Sequence, residues 1–206
     1  MTLRARVFGL FPAFWLAAAA VCALALIATP GIVTTLALLG TVYLLPVACF
    51  RVHDSLWPLA EGRSRLDAAG YSPWWGSHQF QVMYSAFPAL EAGLRLVPGL
   101  YSAWLRAWGS RIGRRVYWTP RVDISDRSLL DVGDDVVFGH VVACYAHLVK
   151  RRADGLVLYV RRIRIGSRVL LGAGSRLGPG VRIEDGAVLT ARTDVPPGRR
   201  VRADGG

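Results

Sequence analysis

From Ile163 to Val201 an aliphatic residue returns at every sixth position: Ile165, Leu171, Leu177, Ile183, Leu189, Val195 and Val201. A helix repeats at about 3.6 residues and a strand at about two, so a sustained period of six excludes an ordinary helix, hairpin or open sheet. It demands a unit of one short strand and one corner, whose recurring side chain points into a prism while neighbouring turns bury a continuous column. Gly166, Gly172 and Gly178 follow the first three members, where glycine is expected to relax the corner. An earlier series, Ile112, Trp118 and Ile124, keeps the period, slips by two residues and resumes as Val132, Phe138 and Cys144. The predicted fold is therefore a β-solenoid of about four coils from Ile112 onward.

Between Cys144 and Ile163 the period fails. The segment "HLVKRRADGLVLYVRR" cannot be threaded into a coil without placing charges inside, so residues 147–162 are predicted to protrude as a loop.

The other half of the chain answers to a different solvent. Hydrophobic residues make up 53% of the 206, and they crowd into two uncharged runs, Phe8 to Ala28 and Ile32 to Phe50, joined by Thr29-Pro30-Gly31. Each approaches the ~20 residues that cross a bilayer. The first run exceeds the ~7–15-residue apolar stretch of a signal peptide, and a second run follows it. Residues 1–52 are read as a transmembrane hairpin. Arg4 and Arg6 before it, and Arg51, Arg63 and Arg65 after it, place both ends on the cytoplasmic side by the positive-inside bias. Residues 53–110 form a helical linker rich in aromatics. Phe80, Met83, Tyr84 and Phe87 share one helical face, and Leu100, Trp104, Leu105 and Trp108 repeat the pattern. Such stripes either lie in a membrane interface or pack on the repeat domain as core. Residues 111–206 make the third domain.

The residues of that domain resemble the hexapeptide-repeat acyltransferases. The resemblance rests on "AHLVKRR" followed by "IRIGSRVLLGAGSRLGPGVRIEDGAVLTARTDVPP", which reproduces the order of a loop histidine, an "IG" restart, tight glycine turns, an alanine and a valine before proline. It covers roughly Ile112 to Val201, somewhat under half of the chain, and the family's C-terminal G-x-P-A segment has no counterpart. The resemblance implies a left-handed parallel β-helix. It implies transfer of an acyl group, in the first instance acetyl, from acyl-CoA or an acyl carrier protein to a hydroxyl or amine. It also implies a homotrimer with the donor lying between subunits. His147 matches the histidine that takes the acceptor's proton, a role suited to an imidazole that titrates near neutrality. His140, at a coil corner, is its rival or assistant. Gly172, Ala173, Gly174 and Ser175, then Ala191 and Arg192, match the stretches that hold the coenzyme, with Arg199 and Arg200 as further phosphate contacts. No metal is implied.

Asp131, Asp134 and Asp135 sit one coil upstream, where a carboxylate could orient a histidine but more often caps a turn. His53 and His78 lie outside the repeat and carry no assigned chemistry. Cys22, Cys49 and Cys144 lie far apart and suggest buried thiols in a reducing compartment rather than a disulfide framework. The formal charge of +11 suits anionic partners, yet no nucleic-acid motif accompanies it. Two further classes stay open: a non-catalytic β-helix scaffold, and a zinc enzyme of the carbonic-anhydrase type, which needs three convergent histidines where the repeat offers two. The acceptor is expected to be lipid-linked or a glycan, and the location a bacterial-type inner membrane with the catalytic domain in the cytoplasm.

Overall fold

A computed structural model describes residues 2–67, 69–153 and 155–203. Contacts divide the chain into two units, Met1–Leu59 with Ala69–Met83, and Ala60–Ala68 with Tyr84–Gly206. The expected linker 53–110 is thus no separate element, because each unit takes part of it.

In the first unit α1 (Leu3–Gly9) leads into α2 (Phe11–Ala28), and α3 (Ile32–Leu39) continues through a π turn, Gly40–Leu44, into α4 (Leu45–Leu56). In the π register the Leu45 N–H reaches back to the Gly40 carbonyl, and Pro46 has no N–H to offer the Thr41 carbonyl in turn. The Trp15 indole fills the gap, donating to that carbonyl at 3.0 Å and tying the two helices together. The continuous stretches Leu3–Ala28 and Ile32–Leu56 are long and apolar enough to cross a bilayer by length and composition. Their surfaces leave Val21, Leu24, Ile27, Ile32, Val33 and Leu36 exposed. α5 (Pro73–Gln79) completes this unit, and α6 (Val82–Ala86) follows it.

The second unit adds strand β1 (Gly62–Arg65), α7 (Pro88–Arg95) and α8 (Leu100–Ala107) to the repeat. The repeat is a three-sided parallel β-helix. One sheet joins β2 (Arg111–Ile112), β5 (Leu130–Val132), β10 (Ile163–Ile165), β13 (Arg182–Ile183) and β16 (Arg200–Val201). The second joins β3 (Tyr117–Trp118), β6 (Val137–Phe138), β11 (Leu170–Leu171) and β14 (Val188–Leu189). The third joins β4 (Asp123–Ile124), β7 (Ala143–Cys144), β12 (Arg176–Leu177) and β15 (Asp194–Val195). The hexad side chains form the interior: Ile165, Leu171, Leu177, Ile183, Leu189 and Val195 are all buried, as are Ile112, Trp118, Ile124, Val132, Phe138 and Cys144. α8 closes the first coil. Trp104, Leu105 and Trp108 are buried, the Trp118 indole donates to Ser102 at 2.8 Å, and Arg106 donates to the Ile112 and Gly113 carbonyls. The aromatic stripe of α8 is therefore core rather than membrane surface, although Phe87 and Leu100 stay exposed.

Two expectations need correction. The glycines after the hexad residues do not relax the corners. Gly166 and Gly172 lack positive φ, but a Cβ on Gly172 would sit 2.5 Å from the Ala191 nitrogen of the next coil. Stacked backbones, not torsion, exclude the side chain there. The segment 147–162 is also no loop. β8 (His147–Arg152) and β9 (Gly155–Val160) pair as an antiparallel hairpin, and β1 joins the other edge of β9. Alternation explains it: Leu158 and Val160 bury one face, while Lys150, Arg151 and Arg152 stay in solvent.

Candidate active site

Between the first and second coils the corner carries two extra residues. Ile112 pairs with Val132, twenty positions on, whereas Ile165 pairs with Ile183, eighteen on. The surplus lets the corner turn its side chains inward instead of outward. Asp126 and Arg127 are both buried there.

Asp126 faces the first residue of the hairpin. His147 Nδ1 lies 2.8 Å from Oδ2 and 3.0 Å from Oδ1, and Oδ2 also accepts from the Ala146 N–H at 3.0 Å and the Ser125 hydroxyl at 2.7 Å. A carboxylate only accepts, so Nδ1 carries the ring proton and Nε2 of the neutral imidazole carries the lone pair. The Asp126 side chain is 4% exposed and that of His147 is 20% exposed, so solvent reaches the ring and not its anchor.

The neighbouring Arg127 holds the corner in place. It is fully buried, and its Nε and Nη2 each meet a Glu91 carboxylate oxygen of α7 at 2.9 Å. Burial opposes charge on Arg127, but the paired Glu91 carboxylate overrides it and the pKa is raised. Tyr101 donates to Glu91 at 3.0 Å and accepts from Arg95 at 2.8 Å. Burial first, and the Glu91 charge second, push its phenol well above the ordinary range, so it stays a donor. Ser110 donates to the Arg127 carbonyl at 2.7 Å and accepts the Leu130 N–H at 2.9 Å. The carboxylate that aligns His147 thus rests on a buried scaffold anchored in a helix.

The other candidates fall elsewhere. His140 is exposed on the corner between the second and third sheets. Gly172–Ser175 and Ala191–Arg192 occupy the same edge in the next two coils. The His140 carbonyl accepts the Gly174 N–H, and the Ala173 carbonyl accepts the Arg192 N–H, each at 2.8 Å. Ser175 is buried and donates to the Thr190 carbonyl at 3.1 Å, which leaves Ala173, Ala191 and Arg192 as the outward groups. His147 sits on a different edge, between the third and first sheets. One chain therefore brings Asp126 to His147 and stacks His140 with the glycine turns, but keeps the two groups apart.

Asp134 and Asp135 serve coil corners, and Asp131 lies on strand β5 opposite Arg111. Asp134 accepts the Arg114 N–H at 2.7 Å, Asp135 pairs with Arg115, and Asp131 faces Arg111 at 3.8 Å. Arg200 pairs with Glu184. Burial pushes the Cys144 thiol up, as befits an interior side chain. The acidic partner that the sequence reading missed is Asp126, and its signal was the two-residue slip between Ile124 and Val132.

No protein-family profile matches the chain. Over 107 residues it is 34% identical to YvoF of Bacillus subtilis (strain 168), whose own assignment as an acetyltransferase is provisional; the match covers 48% of this chain and 57% of that protein. The chain thus spans little more than half the length of that relative. The hexapeptide-repeat-containing acetyltransferase VCA0836 of Vibrio cholerae, solved with acetyl coenzyme A, is 20% identical with a TM-score of 0.43 over 61% of this chain and 85% of that one. A galactoside acetyltransferase in complex with coenzyme A is 18% identical with a TM-score of 0.40, over 57% and 74% respectively. The proteins this chain is similar to are acetyltransferases.

Proposed function

We propose that the chain is a membrane-bound, acyl-CoA-dependent acyltransferase in which His147 is the general base and Asp126 its positioning residue. The observation that carries the reading is the buried carboxylate 2.8 Å from Nδ1 of a histidine that solvent partly reaches, on the edge of a hexapeptide β-helix. Nε2 removes the proton from an acceptor hydroxyl or amine as that atom attacks the thioester carbonyl. The tetrahedral intermediate collapses with cleavage of the C–S bond, and the imidazolium returns the proton to the departing thiolate. Asp126 fixes the tautomer and favours the transient positive charge on the ring.

The donor runs along the edge formed by Gly172–Ser175 and Ala191–Arg192, where small residues admit a pantetheine arm and Arg192 meets a phosphate. Since this edge and His147 are separate within one chain, the complete site needs two copies. The outer face of the second sheet supports such packing. Tyr117, Val137, Leu170 and Val188 stand in register and are 60%, 38%, 43% and 62% exposed, whereas the corresponding outer positions of the first sheet are Arg111, Asp131, Arg164, Arg182 and Arg200. A homotrimer burying that apolar ladder accounts for both facts. The two apolar helices hold the enzyme in an inner membrane with the β-helix in the cytoplasm, and the acceptor is lipid-linked or a glycan. Comparative lipid and glycan mass spectrometry of cells with and without the gene tests the proposal. A product heavier by one acyl group, lost in His147→Ala, is expected; identical profiles favour a scaffold.

A further inference from the structure

The first coil and the turn between α7 and α8 enclose a cleft of about 710 Å³ within the second unit, a volume in the range of ligand sites. Arg95, Arg106, Arg114 and Arg115 line it, and among the described residues no aspartate or glutamate does. Two of the four are neutralised where they stand. Arg95 is buried against Glu91 at 3.5 Å, and Arg115 pairs with Asp135. The other two are not. Arg106 directs Nε and Nη2 at the neutral carbonyls of Ile112 and Gly113, and its Nη1 has no partner among the described residues. Arg114 follows Gly113 directly. Asp134 takes its backbone N–H at 2.7 Å, while its exposed guanidinium has no partner among the described residues. Arg106 is thus pinned one residue from Arg114, and two uncompensated guanidiniums share the cleft.

A concave surface carrying charge of one sign concentrates ligands of the other, and two guanidinium forks suit an oxyanion with several acceptor oxygens. Much of the remaining lining is apolar. Leu96 and Val97 on the turn and Tyr117 on the coil are each more than half exposed, with Val116 beside Tyr117. The cleft also has a place in the stack. It reaches Pro120, and because Trp118, Phe138, Leu171 and Leu189 stand in register, Pro120, His140, Ala173 and Ala191, each two positions on, mark one edge in successive coils. The cleft therefore lies one coil before His140. The small-residue turns proposed for the donor lie one and two coils after it, and His147 belongs to the same second coil as His140.

We infer that the cleft holds the acceptor, and that the acceptor is a phosphate ester carrying an apolar chain. Its phosphate meets Arg106 and Arg114, its chain lies against Leu96, Val97 and Tyr117, and the hydroxyl or amine to be acylated extends past Pro120 toward the second coil. The inference rests on the acyltransferase reading. A free sugar phosphate would leave the apolar lining in water, and an uncharged amphiphile would leave both guanidiniums unmatched.

The test uses the full chain in a neutral maltoside detergent and an alkyl phosphate bearing a diazirine on its chain. Irradiation should attach the probe within residues 95–120, read by peptide mass spectrometry. Dodecyl phosphate should compete, with dodecanol and glucose 1-phosphate each weaker by about 10-fold or more. Arg114→Gln removes an exposed guanidinium that no other described residue needs, and should weaken dodecyl phosphate by about 10–100-fold. Val97→Glu sets a carboxylate beside the phosphate and should abolish labelling there. Arg182→Gln, at an exposed arginine on the first sheet, should leave labelling unchanged. Labelling spread along the chain, or lowered equally by Arg182→Gln, overturns the inference. Glucose 1-phosphate that competes as well as dodecyl phosphate also overturns it, since the ligand is then a soluble phosphate. Acetyl-CoA turnover with a membrane-lipid extract reads the transferase separately. Coenzyme A release with an unchanged acceptor KM in Arg114→Gln removes the acceptor from the cleft. Wild type that is labelled in the cleft but releases no coenzyme A sinks the transferase reading and the acceptor role with it, and leaves a cleft for amphipathic phosphates.

Discussion

Replacing Asp126 by asparagine tests the proposed site most sharply, because shape is preserved and only the pattern of donors changes. The carboxylate now accepts from His147 Nδ1, the Ala146 N–H and the Ser125 hydroxyl. If the amide oxygen takes the Oδ2 site it keeps the Ala146 N–H and the Ser125 hydroxyl and stays near Nδ1, but the amide N–H₂ then stands at the Oδ1 site, 3.0 Å from Nδ1, where it favours the tautomer whose proton is on Nε2. The imidazole loses its lone pair at the atom that has to receive the acceptor's proton, an inversion worth up to about 10⁴ in turnover. If the amide flips instead, the tautomer survives, but a buried N–H faces another N–H at a cost of about 1–3 kcal/mol of stability. The two outcomes are separable. Turnover, followed as CoA release by mass spectrometry with a membrane-lipid extract as acceptor, falls by about 10²–10⁴ in the first case. Chemical denaturation reports the second. An Asp126→Asn protein with wild-type turnover would refute the role given to the Asp126 charge, since an amide oxygen at the Oδ2 site still meets all three donors and the substitution then removes little but that charge.

Other consequences follow from the surroundings. Glu91→Ala takes from the buried Arg127 and Arg95 guanidiniums the carboxylate they share and should cost about 3–5 kcal/mol by denaturant titration. The buried Cys144 thiol has its pKa raised above the ordinary 9.0, so the unfolded chain ionises first as pH rises. Its stabilising contribution is present below that value and is lost above it, and Cys144→Ala should flatten the alkaline decline in stability measured between pH 8 and pH 10, by at most about 1.4 kcal/mol per pH unit. If the proposed homotrimer packs through the second sheet, Leu170→Glu, in the middle of its exposed ladder, should yield monomers by light scattering and abolish acyl transfer while the β-sheet circular dichroism persists. Arg192→Ala should raise the donor KM with little change in kcat, because a phosphate contact remote from the thioester acts equally on ground and transition states.

The β-helix was legible because its constraint is periodic and one-dimensional: a residue that must point inward every six positions leaves a mark at every coil, from Ile112 to Val195. The hairpin β8–β9 was harder. Its charged half, Lys150 to Arg152, conceals the alternation of Leu156, Leu158 and Val160, and its third strand, β1, comes from some ninety positions earlier, a pairing that no local pattern encodes. His147 could be singled out by the resemblance, but its partner could not, because aspartates are common in such coils and three of them, Asp131, Asp134 and Asp135, stood nearer in the expected coil. What distinguishes Asp126 is the surplus of two residues at its corner. An extra pair costs nothing at a surface, where it would simply bulge, but here it carries a carboxylate and a guanidinium into the interior, and that is tolerable only if both are paired. His147 satisfies one and Glu91 the other. An interruption in an otherwise strict repeat therefore deserved the same weight as the repeat: the period identifies what the coil must bury, and a slip that carries charges inward marks where the fold has had to pair them, here with the histidine proposed as the base.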